Sequence, residues 1–220
     1  MPASSLLTEL QHDFLSVFFA SLIGERFFLT GGTALAEYYL QHRYSDDLDL
    51  FTLDDEAFGL ARQELRGLAA QMHASVTSIL STPTFQRYEL VRSGSEPVRI
   101  DLVRDVDFQF GQHQFFGTVI VDSLENIGAN KVSAIFGRTE SKDFVDLYFM
   151  LQSGQDLPTL IEDAKQKDSG LSDFWLAGML RKVETLTRLP VMLKPLELDT
   201  LKTFYLSLTD VLLRRIKPND

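Results

Sequence analysis

Asp47, Asp49 and Asp101 are the residues of this chain whose type and spacing could do chemistry. Asp47 and Asp49 alternate with Leu48 and Leu50. A strand has a side-chain period of two, so both carboxylates point to one face and both leucines to the other. Like charges on one face repel unless a cation or a base lies between them. The run Arg99-Ile100-Asp101-Leu102-Val103 repeats the pattern with one acid between apolar neighbours. If it lies beside the Asp47–Thr52 run, three acids converge. Such a cluster can hold two metal ions, about 3.5–4 Å apart, that activate an attacking hydroxyl and steady a leaving pyrophosphate. Mg²⁺ takes oxygen ligands from one or two carboxylates together with substrate phosphates. The competing readings are a solvated strand end for Asp47 and Asp49, and a surface pair with Arg99 or Arg104 for Asp101.

Gly31-Gly32-Thr33 precedes these acids, between an apolar run and a helical pattern. Glycine lets a backbone approach phosphate, and the first N–H groups of a helix are donors. The Thr33 hydroxyl can cap the helix or touch a phosphate. Gly-Gly before a helix is also a common structural turn.

A further charged stretch follows from Asn130 to Tyr148. Lys131 and Arg138 are spaced near two helical turns and share a face. Asp143 and Asp146, three apart, share another. Phe144, Leu147, Tyr148 and Leu151 anchor that second helix. Taken alone, these residues read as an ion-pair network joining two helices.

Together the stretches resemble a known family. Gly31-Gly32-Thr33-Ala34-Leu35, then His42-Arg43-x-Ser45-x-Asp47-Leu48-Asp49-Leu50, is similar to the first motif of the nucleotidyltransferase AbiEii/AbiGii toxin family, within the DNA polymerase β-like nucleotidyltransferase superfamily. Lys131, Arg138, Lys142-Asp143 and Asp146-Leu147-Tyr148 resemble its later pattern. The resemblance covers about Phe28 to Leu151. It implies that Gly31, Gly32 and Thr33 face a triphosphate, and that Asp47 and Asp49 bind Mg²⁺ (or Mn²⁺), with Asp101 as the superfamily's third acid. Lys131 would contact nucleotide phosphates. Asp143 would be a base or a positioning group, and Asp146 would fix its helix or bind substrate. Lys142 stands where the family pattern often has Arg, which is better suited to bidentate phosphate contact. Arg43 and Ser45 fall within the first motif. Arg43 could reach the triphosphate or a base, or pair with Asp46 or Asp47. The implied activity is transfer of a nucleoside monophosphate from an NTP to an acceptor hydroxyl. RNA, with tRNA the leading class, is the implied acceptor, and the implied setting is a toxin–antitoxin or phage-defence pair with a cognate antitoxin. The alternatives are a nucleotide-binding module without catalysis, and transfer to a small molecule such as an aminoglycoside or to a protein hydroxyl.

The elements that would position these residues follow from periodicity. Helical spacing runs over 6–23 and ends at Gly24. A short buried strand is expected at 27–29, a helix at 33–41, a strand at 47–52, and a helix at 58–72 entered through Asp54-Asp55-Glu56. Extended runs follow at 74–80, 85–92 and 98–103, the last two paired across the Gly94–Pro97 turn. One more strand is expected at 114–121. Helices then fill 123–136, 141–151, 159–167, 173–187 and 199–216. The fold class is α+β: a nucleotidyltransferase-like mixed β-sheet with flanking helices over 1–122, and a helical C-terminal lobe over 123–220 that completes an active-site cleft.

Composition agrees with a globular chain of 220 residues that is 45% hydrophobic and 11% aromatic. The formal charge of -10 argues against a broad basic surface that coats nucleic acid. From Leu171 onward, however, eight Lys/Arg face six Asp/Glu, against 13 and 25 before it. Cysteine is absent, which excludes disulfides and thiolate metal sites. Apolar runs are too short to span a bilayer, and MPASSLLTEL lacks the basic start and apolar core of a signal peptide, so a cytoplasmic protein is expected. His42 reads as a structural hydrogen-bonding residue, and His12, His73 and His113 lack ligand spacing. Trp175 is expected in the core. Arg214-Arg215-Lys217 reads as a helix C-terminus, or as a contact to RNA.

Overall fold

The structure is a computed structural model that describes residues 5–216. Lys217 and the side chain of Arg215, from the C-terminal basic cluster, and the first four residues of MPASSLLTEL lie outside what is described. The chain forms two compact units. One runs as far as Tyr39 and resumes over Ser45–Ser123; the other takes Leu40–Tyr44 and the described residues from Leu124 onward.

In the first unit, Thr8 and Gln11 form a capping box that starts α1 (Glu9–Phe19). β1 (Phe28–Thr30) runs into α2 (Gly31–Ala34), which continues as a π-helical turn over Leu35–Leu40. β2 (Asp47–Thr52) is followed by α3 (Asp55–Gln71), where the Asp54 carboxylate accepts from Ala57 N at 3.0 Å. β3 (Ser75–Ser81), β4 (Phe85–Val91) and β5 (Val98–Arg104) form an antiparallel meander. The expected single strand over 114–121 is instead two, β6 (Gln114–Phe116) and β7 (Val119–Val121). Gly117, with φ +63, allows the tight turn that folds them together.

The seven strands make one mixed sheet in the order β3-β4-β5-β2-β1-β7-β6. β2 sits in the middle, parallel to β5 and antiparallel to β1. Leu48, Leu50, Ile100, Leu102, Tyr88 and Leu90 form one buried face. Helix α3 covers that face: Gln86, which alternates with Arg87, donates to the Phe58 carbonyl at 3.4 Å. Asp47, Asp49 and Asp101 therefore stand on the opposite face.

The second unit is built from α4 (Leu124–Gly137), α5 (Ser141–Gln152), α6 (Leu157–Lys167), α7 (Asp173–Arg181) and α8 (Leu198–Ile216). The helix expected over 173–187 ends early, tightening to a 3-10 turn at Lys182–Thr185. Tyr205 of α8 is buried and donates to the Phe144 carbonyl of α5 at 2.7 Å. Leu40–Tyr44 joins this unit through backbone bonds, Tyr44 N to Val191 O at 3.0 Å and Leu193 N to His42 O at 2.9 Å. Trp175 is not in the core; it is 66% exposed. Among the described residues, no helix is long and apolar enough to cross a membrane.

Candidate functional site

Register brings the three acids of the first unit together. In the parallel β2–β5 pair, Asp49 lies opposite Asp101 and Asp47 opposite Arg99. The neighbouring hairpin sets Arg87 opposite Asp101. All five side chains therefore share one face. Arg87 grips Asp101 in bidentate fashion, Nε to Oδ1 at 2.8 Å and Nη2 to Oδ2 at 2.7 Å. Arg99 pairs with Asp47, and its Nε lies 4.0 Å from Asp101 Oδ2. The acids are thus interleaved with guanidinium groups rather than gathered into a bare cage. Among the described residues, no group of three or more His, Cys, Asp or Glu is arranged to hold a metal ion. Arg87, rather than Arg99 or Arg104, is the main partner of Asp101. Asp101 itself is 6% exposed, while Asp47 and Asp49 are half-buried.

The glycine turn lies against this face. Gly31 has φ +70, a left-handed backbone that L side chains rarely adopt. A Cβ at Gly31 would lie 2.8 Å from Asp49 Cγ and would overlap Asp49 Oδ2. Glycine is required here both by the backbone and by the neighbouring carboxylate. Thr33, expected to face phosphate, is buried and donates its hydroxyl to the Asp47 carbonyl. That bond fixes the start of β2 to the turn. Gly32 is also buried. The turn is braced from behind by Asp122, whose Oδ2 accepts from Thr30 Oγ1 at 2.6 Å and whose carbonyl accepts from Tyr39 Oη at 2.6 Å. Ser45 contributes its carbonyl to Gln11 Nε2, at 3.2 Å. Asp122 and Arg87 escaped the sequence reading.

The second unit holds a buried charge network. Arg43 binds Asp146 through Nε to Oδ1 at 2.6 Å and Nη2 to Oδ2 at 2.7 Å. His42 Nε2 meets the same carboxylate at 2.8 Å. Lys131 Nζ lies 2.6 Å from Asp146 Oδ2 and 3.0 Å from Asp143 Oδ1. Arg138 Nε reaches Asp143 Oδ2 at 2.8 Å. His42, Arg43, Lys131, Asp143 and Asp146 are all buried. Lys142 is half-buried and lies 3.5 Å from Glu140.

Burial alone would raise the Asp146 carboxyl, but the Lys131 and Arg43 charges hold it well below its usual range. The same contest lowers Asp143, where Lys131 and Arg138 outweigh burial. Lys131 is raised: burial opposes its charge, and Asp146 and Asp143 more than offset that. A buried carboxylate held below its usual range is a poor proton acceptor near neutral pH. Asp143 is held by Lys131 and Arg138, and Asp146 by Arg43, His42 and Lys131. Lys131, expected to contact nucleotide phosphates, lies against Asp143 and Asp146, and Arg43, open to a phosphate, a base or an acid, lies against Asp146. The bidentate partner of Arg43 is Asp146. His42, expected as a hydrogen-bonding residue, is buried against Asp146.

The chain is 31% identical over 150 residues to the Aquifex aeolicus (strain VF5) "Uncharacterized protein aq_aa25"; the match covers 64% of this chain and spans 66% of that relative's length, just under two thirds. In structure it is similar to MenT4, nucleotidyltransferase toxin Rv2826c from Mycobacterium tuberculosis H37Rv, with a TM-score of 0.59 and 16% identity over 93% of this chain and 85% of that one. It is also similar to JHP933 from Helicobacter pylori, with a TM-score of 0.56 and 18% identity over 96% and 94% of the two chains. These likenesses establish a shared fold. The model of the family described as "Nucleotidyl transferase AbiEii toxin, Type IV TA system" matches residues 13–202. The chain belongs to that family.

Proposed function

We propose that this protein is a metal-dependent nucleotidyltransferase that moves a nucleoside monophosphate from an NTP to a hydroxyl of RNA, tRNA being the expected class, and that it acts as the toxin of a toxin–antitoxin pair. The observation that carries the reading is the contact between the Gly31 turn and the Asp49 carboxylate, on the face that also bears Asp47. A backbone open to phosphate and a pair of acids are thereby side by side.

The donor set supports a divalent cation at Asp47 and Asp49. A hard cation needs one or two carboxylates, with phosphate oxygens completing its shell. The face already calls for positive charge, as Arg99 and Arg87 demonstrate. Mg²⁺ or Mn²⁺ held there would withdraw charge from the α-phosphate and the departing pyrophosphate. Asp47 and Asp49 would supply its protein ligands. Gly31 would let its backbone lie close to the Asp49 carboxylate and to a cation held there, and Arg99 and Arg87, both partly exposed, are placed to take phosphate charge. Asp101 is a weaker ligand candidate because both its oxygens accept from Arg87. Asp143, Asp146, Lys131 and Arg43 keep α4, α5 and the 40–44 segment in place.

Incubation with each α-labelled NTP, Mg²⁺ and total tRNA tests the reading. Label entering RNA is the expected result. No transfer with any of the four nucleotides, together with no triphosphate binding, contradicts it. Binding without turnover would instead favour the non-catalytic alternative.

A further inference from the structure

Helix α7 buries Leu176, Ala177 and Leu180 and turns two large aromatics outward, Phe174 at 61% and Trp175 at 66% exposure. The rings meet edge to face, centroids 5.9 Å apart. One turn on, Gly178 is exposed, with open space where a Cβ would stand. The next turn carries the exposed Arg181, whose Nε lies 3.2 Å from Glu184 Oε2, and the exposed Lys182 at the start of the 3-10 turn. Two aromatics, a bare turn and two cations thus follow one another along a single helix face.

A cavity of about 440 Å³ adjoins the aromatic end, with Phe174, Ile161 and Leu212 as apolar lining and Glu162, Ser172 and Asp173 as polar lining. Nearby acid is partly neutralised, since Lys165 Nζ lies 2.8 Å from both Glu162 and Asp173. Helices α7 and α8 belong to the part of the chain with a positive balance, eight Lys/Arg against six Asp/Glu from Leu171 onward.

We infer that this face of α7 is a docking platform for single-stranded RNA. The inference rests on RNA being the acceptor and names where that acceptor is held. Bases stack on Phe174 and Trp175, which accept any base because each presents a π-face. One base enters the adjoining cavity, where apolar walls cover the ring and Asp173 accepts from an exocyclic amine. Arg181 and Lys182 meet the following phosphates, and Gly178 lets the strand lie close to the helix. A purely apolar partner surface would make no use of the Lys182 charge.

Trp175 is the sole tryptophan of the chain, so intrinsic fluorescence reports on this platform alone. The test is titration of the full chain with a single-stranded oligoribonucleotide of mixed sequence, without NTP or metal, with the matching duplex as control. Saturable quenching by the single strand and little by the duplex is expected. With two phosphate contacts, the single-strand salt slope predicts about a sevenfold loss of affinity from 50 to 200 mM salt. Phe174→Ala should weaken binding by roughly fivefold to hundredfold. Anisotropy of a labelled strand extends the same expectation to Trp175→Ala, and both variants should keep the wild-type melting temperature because the rings are exposed. Absence of quenching, equal quenching by duplex, or full binding by the aromatic variants would overturn the platform; in that case a protein contact becomes the reading for the exposed pair. Quenching without nucleotidyl transfer would contradict the proposed activity and leave the platform standing. Transfer to RNA that survives Phe174→Ala and Trp175→Ala unchanged, with no quenching, would remove the platform and leave the activity.

Discussion

The backbone of Gly31 lies so close to the carboxylate of Asp49 that a side chain on the glycine would overlap Oδ2 and come within 3.1 Å of Asp49 Cβ. The turn that opens to phosphate and the acid proposed to hold metal are one packed unit, so neither can be altered without the other responding. Gly31→Ala should therefore lower both stability and transfer. The left-handed backbone adds a strain of about 1–2 kcal/mol for an L residue, and the overlap adds to it. Gly31→Ala/Asp49→Ala should regain part of the melting temperature, because the overlap is gone, and none of the transfer. Equal melting temperatures for the single and double variants would show that the contact carries no strain.

Asp101 shares a face with Asp49 yet is bound to Arg87. Replacing it should disturb the arrangement of the face more than the metal itself. Asp101→Asn is expected to reduce kcat by about tenfold, as for loss of a supporting contact, and Asp49→Asn by far more. Parallel kinetics of the two variants check this. Equal losses would make Asp101 a ligand.

The Arg43–Asp146 pair is buried at both ends, with side chains 4% and 0% exposed. Removing one partner of a buried pair leaves a charge uncompensated, at a loss of about 3–5 kcal/mol. Arg43→Met should thus lower the melting temperature by roughly 6–20 °C for a chain of this size. Calorimetry measures it; a drop under about 2 °C would indicate that Lys131 and His42 alone satisfy Asp146.

His42 makes stability depend on pH above the carboxylate range. Burial holds the imidazole below its ordinary value, against the pull of Asp146. Its Nδ1 is buried with no hydrogen-bond partner, so a second proton finds no acceptor in the fold. The unfolded chain takes up that proton first, near pH 6.5, and stability falls as pH drops from there towards the lower folded value. Asp143 and Asp146 add a second decline below about pH 4, where the unfolded carboxylates protonate first. Melting temperature from pH 7 to 5 should fall for wild type and stay nearly flat for His42→Gln. A flat wild-type curve would contradict the assignment.

Much of this was legible in the residues, and the failures have physical causes. The Asp-Leu-Asp-Leu alternation marked both the strand and its two faces, because period two leaves little choice. Arg87 was missed, although counting outward from the Gly94 turn of the 85–103 hairpin sets it opposite Asp101. The partner of Arg43 was not. Asp146 is more than a hundred residues away, and local spacing offered Asp46 and Asp47 instead. Periodicity also could not reveal that Thr33 turns its hydroxyl to the Asp47 carbonyl, nor that Trp175 faces outward from an amphipathic helix, since Phe174, Trp175 and Leu176 are consecutive apolar residues. The 114–121 run read as one strand because its single punctuator, Gly117, suffices for a two-stranded hairpin.

The most direct test of the account is incorporation of α-labelled nucleotide into RNA by wild type and by Asp49→Asn, each with Mg²⁺ and with a chelator. Labelled RNA is predicted from wild type with Mg²⁺ only, with a loss of about 10²-fold or more in Asp49→Asn while its melting temperature stays at or above wild type. Undiminished labelling by Asp49→Asn, or labelling that persists in chelator, would contradict the metal role assigned to that carboxylate.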